Sequence, residues 1–462
     1  MHQAPHIFSK DVRYLYREIA LVLLSAIIFA WKNPWWVEFL YMASAALLIG
    51  RVIHAETIPG DRQFWITRPY RWQSLVAAKL LFILAFVNVP IFLDQLFIVV
   101  RDGFPMGSIW AGLFWSQVLW IFCFSLPAAA LAAVTSGLGP FVFASLAAVL
   151  AALSVPQLVL PEFRLLPIGP RPIMVEWVHN SAGIAAVVVI ALVVLRAQYT
   201  HRRTLFSRVF GLAATVGGAA AFLLVPWTFG FGVQMRMPHV AAAAAPISVS
   251  IAPSAGRFVQ QSRNNFFPVR FRMAIGGAPD SLEARPDAMQ LTFTRPNGQT
   301  WIAEGWNAQV RSVPNGVSKV EATTMMPASF YEEARHETLN ARGFLYFTLF
   351  ESAPSKSVAL ADKPVNVGEG LQCYRGAFKE LYCRSAFRWP GRLVYAKSGS
   401  DLSSFYNLIS YSPFPAVLDL DPVESHWAGG ASSDRETTLL MKKPLATFRR
   451  DLQVDGIRLD RE

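Results

Sequence analysis

The chain has 462 residues, of which 53% are hydrophobic and 16% charged, with a net charge of +11 and a mean hydropathy of +0.34. Soluble domains usually carry about 25% charged residues, so this composition excludes a single soluble globule, and its apolar content excludes wholesale disorder. The charge is unevenly placed: 11% of residues 1–228 are charged, against 21% of residues 229–462. The first half therefore reads as a membrane domain and the second as a water-facing one. A nucleic-acid-binding protein would gather its basic residues in a folded patch. Here much of the excess lies beside apolar runs, and membrane topology explains it better.

About 20 apolar residues cross a bilayer as a helix. The first 18 residues, with Lys10, Asp11, Arg13, Arg17 and Glu18, are too charged for a cleavable signal peptide and lead into further spans. In chain order the expected spans are Ile19–Trp31, Phe39–Gly50, Ser74–Val100, Ile109–Val134, Leu138–Leu160, Trp177–Leu195 and Val209–Trp227. The first two are short and reach spanning length only with flanking aromatics such as Tyr14, Trp35 and Trp36. Asp94 falls inside the third and reads either as an intramembrane polar site or as a residue reaching the outer interface. Pro161–Asn180 is too polar for a span; a re-entrant or interfacial helix and a plain external loop are both compatible with it.

Orientation follows from the basic residues of the short loops. With the N-terminus inside, 12 Lys and Arg fall on the cytoplasmic face, from Lys10 to Arg208, and four on the other: Lys32, Arg101, Arg164 and Arg171. Seven spans then place the C-terminal half outside the cytoplasm. Trp31, Trp35, Trp36, Trp110, Trp177 and Trp227 stand at span ends, as an interfacial aromatic belt requires.

Residues 229–246 read as a linker, ending in the run MPHVAAAAAP. From residue 247 to 462, strand signals alternate with turn signals, as in an antiparallel sandwich. Pro268–Ala274 and Met289–Trp301 show period-two alternation, the second containing a Pro-Asn-Gly hairpin signal. The runs FLYFTLFE, GRLVYAK and FRRDLQVDGIRL read as further strands. One helix is expected between them, with Ser329 and Glu332 as a capping box and Gly343 as its C-terminal cap. The expected fold is thus a multi-span α-helical membrane domain (1–228) joined to a mainly β, antiparallel sandwich-like extracytoplasmic domain (247–462).

Cys373 and Cys383 sit on two short strand-like pieces of the exported half, where a disulfide closing the hairpin is expected. Cys123 lies in an apolar run and is expected to stay reduced. No Cys or His cluster has metal-ligand spacing, so no metal site is expected. Asp419 and Asp421 could meet a calcium ion, though two carboxylates at a strand end are more often simply solvated. The dipeptide Gly-Lys never occurs, which excludes a P-loop, and neither a G-x-S-x-G elbow nor an H-E-x-x-H pair is present. No catalytic residue and no bound cofactor are therefore expected in this chain.

The most informative stretch joins the second and third spans, His54–Leu81. It interleaves Phe64, Trp65, Tyr70 and Trp72 with Arg62, Arg68 and Arg71. Trp, Tyr and Arg dominate interface hot spots, so this is a docking surface, or else an interfacial helix on the anionic inner leaflet. In order, the chain carries Glu56, Gly60, Phe64, Trp65, Thr67, Arg68, Pro69, Tyr70, Arg71, Ser74 and Lys79. This run resembles the membrane subunits of ABC transporters of the type-2 exporter group, whose second span ends in Glu and Gly before a stretch like F-W-x-T-R-P-x-x-R and a Lys opening the third span. The likeness covers roughly residues 1–200.

That resemblance implies that Glu56–Arg71 forms a coupling helix pressed against a separate cytoplasmic ATPase, which would bind the ATP and magnesium. It implies an amphipathic connecting helix at Lys10–Glu18, short external helices at Pro161–Asn180, and a dimer, either of this chain or with another permease. It also implies a bacterial-type cytoplasmic membrane, with the bilayer and the ATPase as partners and no nucleic acid. The seventh span and the exported β domain depart from the family pattern. They keep a second reading open: a membrane-anchored sensor or envelope-assembly protein whose exported domain binds a ligand or partner.

Overall fold

A computed structural model describes residues 3–32, 35–55, 72–163, 173–201, 203–236, 247–257, 266–277, 282–305, 307–312, 318–352, 356–359, 363–368, 370–376, 381–387, 392–398, 408–410, 420–427 and 436–459. Its first half is helical. Helix α1 (Ala4–Tyr14) runs into α2 (Tyr16–Lys32) through a bend of 77°. Then follow α3 (Trp35–His54), α4 (Trp72–Ile83), α5 (Val89–Arg101), α6 (Met106–Trp120) and α7 (Leu126–Val134). One π-type turn joins α4 to α5 and another joins α6 to α7, so each pair runs as one continuous rod. Helices α8 (Leu138–Phe163), α9 (Ile173–Arg196), α10 (Thr204–Leu224) and α11 (Trp227–Gln234) complete the set.

Among the described residues, four helices are long and apolar enough to cross a membrane: Trp36–His54, Trp72–Arg101, Ile109–Val134 and Trp177–His201. The bent pair α1 and α2 makes a fifth if it is counted as one span. Helices α8 and α10 occupy the places of the other two expected spans, although only part of each has described side chains. The expected seventh span differs in detail. Helix α10 starts at Thr204 and ends at Leu224, and the chain breaks at Pro226 before α11, whose eight residues enter the expected linker.

The bundle has an apolar inside and an apolar outside. Phe29, Tyr41, Leu48, Phe82, Ile91 and Phe141 are fully buried in one cluster. Leu24 and Ile27 on α2, Phe114 on α6, Phe143 on α8 and Leu212 on α10 point outward at 56%, 65%, 72%, 75% and 69% exposure. A water-soluble bundle would clothe those faces with charge; hydrocarbon matches them instead. Inside, Ser25 on α2 meets Ser44 on α3 at 3.0 Å.

The second half is mainly antiparallel β. Among the described residues its large sheet has 11 strands. In it β4 (Thr300–Gly305), β3 (Leu282–Thr294), β7 (Thr338–Ser352), β15 (Glu436–Arg458), β1 (Ser248–Arg257), β2 (Phe266–Gly276), β6 (Ser318–Pro327) and β5 (Asn307–Ser312) neighbour one another in that order, while β8 (Lys356–Ala359) and β12 (Arg392–Ser398) pair with β15, and β13 (Leu408–Ser410) with β12. The sheet folds over on itself. Phe271 on β2 stacks on Phe293 of β3 at 5.1 Å, although three strands separate them along the hydrogen-bonded path. Val269, Phe271, Met273 and Ile275 alternate inward from one layer; Leu291, Phe293, Leu345 and Phe347 meet them from the other. This is the sandwich that the period-two patterns called for.

The Pro-Asn-Gly hairpin forms as read, with Gly298 at φ +87° and its N–H donating to Arg295 O at 2.9 Å. The neighbouring helix does not start as read. Helix α12 (Ala328–Ala334) begins after Pro327 with no side-chain cap, so Ser329 and Glu332 form no capping box. Its C-terminus falls at Arg335, and Gly343 lies in the middle of β7.

Among the described residues, the β region meets the helices at two places. At the first, Trp227 and Phe231 on α11 pack with Val175 of α9 against Ala288, Tyr346 and Phe350. From there a hydrogen-bonded chain runs inward: Gln234 Nε2 donates to Thr447 at 2.7 Å, Thr447 and Thr348 share a bond of 2.9 Å, and Thr348 donates to Asp287 at 2.6 Å. Because Thr348 spends its proton on Asp287, Thr447 is the donor between the two threonines. Asp287 is the extra residue of a bulge in β3, between Pro286 opposite Phe347 and Ala288 opposite Tyr346. Burial pushes its carboxyl up from 3.8 to about 7, against the opposing pull of the Thr348 bond and Arg285.

A raised carboxyl means that the folded state keeps a proton which the unfolded chain has lost, across roughly pH 4 to 7. Stability is therefore full below that window and falls as pH rises through it, by up to about 1.4 kcal/mol per pH unit. The thermal midpoint of the β region should drop between about pH 4 and pH 7 in the wild type. Asp287→Asn keeps the acceptor for Thr348 and should flatten that slope. An unchanged slope in the variant would remove Asp287 as its source.

Candidate functional site at the foot of the helix bundle

The residues expected to couple to an ATPase, Glu56, Gly60, Phe64, Trp65, Arg68, Pro69, Tyr70 and Arg71, lie outside the described residues. The structure describes what frames them. On one side, α3 ends at His54, whose Nε2 lies 3.2 Å from both the carbonyl and the hydroxyl of Thr135, after α7. One turn earlier Arg51 Nε donates to Glu18 Oε1 of α2 at 3.0 Å. On the other side α4 opens at Trp72, half exposed, with Ser74 and Leu75 already buried.

Across this foot lies α1. Pro5 sits in its first turn, where the missing N–H costs nothing. Ile7, Asp11 and Leu15 fall at i, i+4 and i+8, and all three are buried. Ile7 packs on Leu75 and Ala78, and the Phe8 ring lies 6.1 Å and 5.9 Å from those of Phe82 and Phe86. Asp11 then meets Lys79 of α4, with Nζ donating to Oδ2 at 2.7 Å and both side chains at 3% exposure or less. Lys10 adds a longer contact of 3.7 Å to the other oxygen. Lys79 closes the sequence motif; its partner Asp11 was not singled out from sequence. The signal was there, since a single acid on an otherwise apolar helical stripe needs a cation. The amphipathic helix therefore starts at Ala4 and ends at Tyr14, earlier than the expected Lys10–Glu18, because the bend at Leu15 splits that stretch.

Asp94 is 8% exposed, inside the bundle and away from water. Its Oδ2 has no hydrogen-bond partner among the described residues. Next to it Gln95 joins Ser116 at 3.1 Å and Gln117 at 3.0 Å, both on α6. This polar line between two apolar helices was only half legible, through Asp94 alone.

The second junction with the β region lies just beyond. A four-stranded sheet has the order β14 (Val423–Trp427), β11 (Leu381–Ala386), β10 (Leu371–Arg375), β9 (Val365–Gly368). Cys373 and Cys383 face each other across β10 and β11 and are joined by a disulfide, while Cys123 is free. From β11, Arg384 pairs with Asp102 at 3.1 Å, bonds its carbonyl, and covers the Phe104 ring at 5.6 Å. Asp419 and most of Pro161–Asn180 lie outside the residues whose side chains are described; Asp421 accepts the N–H of Val423 at 2.9 Å. Among the described residues no group of three His, Cys, Asp or Glu could hold a metal ion. Comparisons of the chain with protein-family models, with curated proteins and with solved structures find no match to it.

Proposed function

We propose that this chain is the permease subunit of an ABC transporter of the type-2 exporter kind, acting as a dimer and powered by a separate cytoplasmic ATPase that grips residues 56–79. The observation that carries this reading is the ordered run from Glu56 to Lys79, and above all Phe64, Trp65, Arg68, Pro69 and Arg71. Two features support it. Helix α1 is set at 77° to α2 and is tied by the Asp11–Lys79 pair to α4, which follows the loop and carries the last residue of the motif. The loop also leaves the same end of the bundle as Arg51 and Lys79, which the positive-inside rule places in the cytoplasm. In this reading the β region sits outside a bacterial-type cytoplasmic membrane, and seven spans carry the chain across. ATP and magnesium stay with the partner, whose closure on ATP would move the foot of the bundle.

A second reading, a membrane-anchored sensor or envelope-assembly protein, is favoured by the size of the β region and by its two built junctions with the helices. The two readings part on one observation: a permease co-purifies with a P-loop ATPase from its native membrane, and a sensor does not. Within the permease reading, Trp65→Ala removes a hot-spot side chain, typically worth about 2 kcal/mol or more, or roughly thirtyfold in affinity for the ATPase. Arg68→Glu should be worse, because it leaves an unpaired or like charge in the contact. Both should insert normally while their ATPase uncouples; full complex formation and activity in both would remove the loop as the coupling element.

A further inference from the structure

Leu420 belongs to the β half by sequence and to the helix bundle by packing. It is 2% exposed and shares one apolar cluster with Val37, Tyr41, Ile91 and Ile98. Both of its main-chain polar groups are held by helices: its N–H donates to Glu38 Oε1 at 2.5 Å, and its carbonyl accepts from Gln95 Nε2 at 3.2 Å. The residues around it are built to keep it there. Phe387 donates its N–H to Pro422 O at 2.6 Å and adopts φ +51°, a left-handed conformation that a bulky residue keeps only where its surroundings insist. Its side chain lies so close to α6 that a Cβ at Gly112 would come within 2.5 Å of it. Arg384 and Gln372 fasten the rim to Asp102.

Leu420 thus acts as a plug, and Asp94, adjacent to Gln95, lies on α5 between Ile91 and Ile98 of the cluster that receives it. Its Oδ2 is unpartnered in a setting where the Tyr41 hydroxyl donates to Val87 O at 2.5 Å. Trp120, whose ring lies 6.2 Å from that of Tyr41, has an Nε1 without a partner among the described residues. An isolated carboxylate in such surroundings is neutralised rather than left charged. A metal cation would need about six oxygen ligands; a proton needs one. The titratable groups facing this region are Tyr41 and Glu38 on α3, together with Arg101 and Asp102 at the end of α5. Glu38 is bonded to Leu420, Arg101 to Ala30 O and Asp102 to Arg384. Helices α2 and α6 bring the buried Ser25 and Trp120 and the half-buried Ser116 and Gln117, none of which titrates in this range.

We propose that Asp94 is a proton-binding site inside the helix bundle, closed from the β side by Leu420. With Leu420 seated, the carboxyl holds its proton. When the plug withdraws, water enters past Gln95 and takes the proton, which returns as the plug reseats. The proposal stands apart from the ATPase reading.

The test uses the full chain in lipid vesicles with dicyclohexylcarbodiimide, a probe that enters through lipid and adds only to protonated carboxyls. Mass spectrometry should find the adduct on Asp94 near neutral pH, and none in Asp94→Asn. Leu420→Ala should lower the labelling rate at Asp94, by up to about tenfold for each unit of proton affinity lost. Where Leu420→Ala folds poorly, Arg384→Gln loosens the rim without touching the core and should act in the same direction. An unlabelled Asp94 in the wild type, protection by sodium ions, or identical labelling in both loosened variants overturns the proposal.

Discussion

Gly343→Ala is expected to abolish folding of the β region while leaving the helices inserted. Gly343 sits in β7, which pairs with β3 on one side and β15 on the other, opposite Leu291 and Leu452. A Cβ there would stand 1.9 Å from Gln290 O and 2.9 Å from the Leu291 Cα. Both obstacles are backbone of the neighbouring strand, so no side chain can swing away. Relief would require prising β3 off the centre of the sandwich, beside Leu291, Phe293 and Leu345 in its core. Losses above about 4–5 kcal/mol come from few mechanisms, and an overlap with fixed backbone in a core is one of them. A domain holding roughly 5–15 kcal/mol has little reserve against that. Protease added to the β side of membrane vesicles should digest the variant's β region and spare the wild type. Gly217→Ala makes a matched control, since nothing lies within 4 Å of its Cβ position.

That glycine also shows where sequence reading ends. A glycine near a helical run signals either a C-cap or a close approach of backbones, and only the neighbouring strand decides between them. The same holds for Ser329 and Glu332: β6 runs to Pro327, the helix starts one residue later, and Ser329 falls inside the first turn. Periodicity was reliable where one face is buried, as in Val269, Phe271 and Met273, because a one-residue slip would expose the whole set. It reached only the second half of β15, the run FRRDLQVDGIRL, although the strand begins at Glu436. A bulge between Pro444 and Ala446 absorbs the proline, and the strand continues to Arg458. The apolar runs located the helices for a similar reason, since length and hydropathy are local. What locality cannot supply is a partner: Asp11 and Lys79 are 68 residues apart, Gln95 and Leu420 are 325. Asp11, Gln95 and Leu420 looked unremarkable alone, and each pairing exists only in the fold.

Asp11→Ala and Lys79→Met should each release α1 from the foot of the bundle, and together they should restore much of what either loses. The pair is desolvated almost completely, at 0% and 3% exposure, with a bond of 2.7 Å. Two charges so placed gain little net energy over well-packed apolar groups, because desolvation consumes most of their attraction. Removing one partner is different. The remaining charge stays buried without compensation, and such losses run to about 3–5 kcal/mol. The apolar contacts of Ile7 with Leu75 and Ala78, and of Phe8 with Phe82 and Phe86, are too few to hold an 11-residue helix against that cost. Thiol labelling of a cysteine placed at Ile7 should therefore be slow in the parent, fast in either single variant, and slow again in Asp11→Leu with Lys79→Met. If α1 braces the coupling loop, the single variants should also weaken ATPase binding although they leave residues 56–71 untouched. The double variant then separates the two contributions: regained docking with regained coupling assigns the defect to the position of α1, and regained docking without it assigns a direct role to the charge of Lys79.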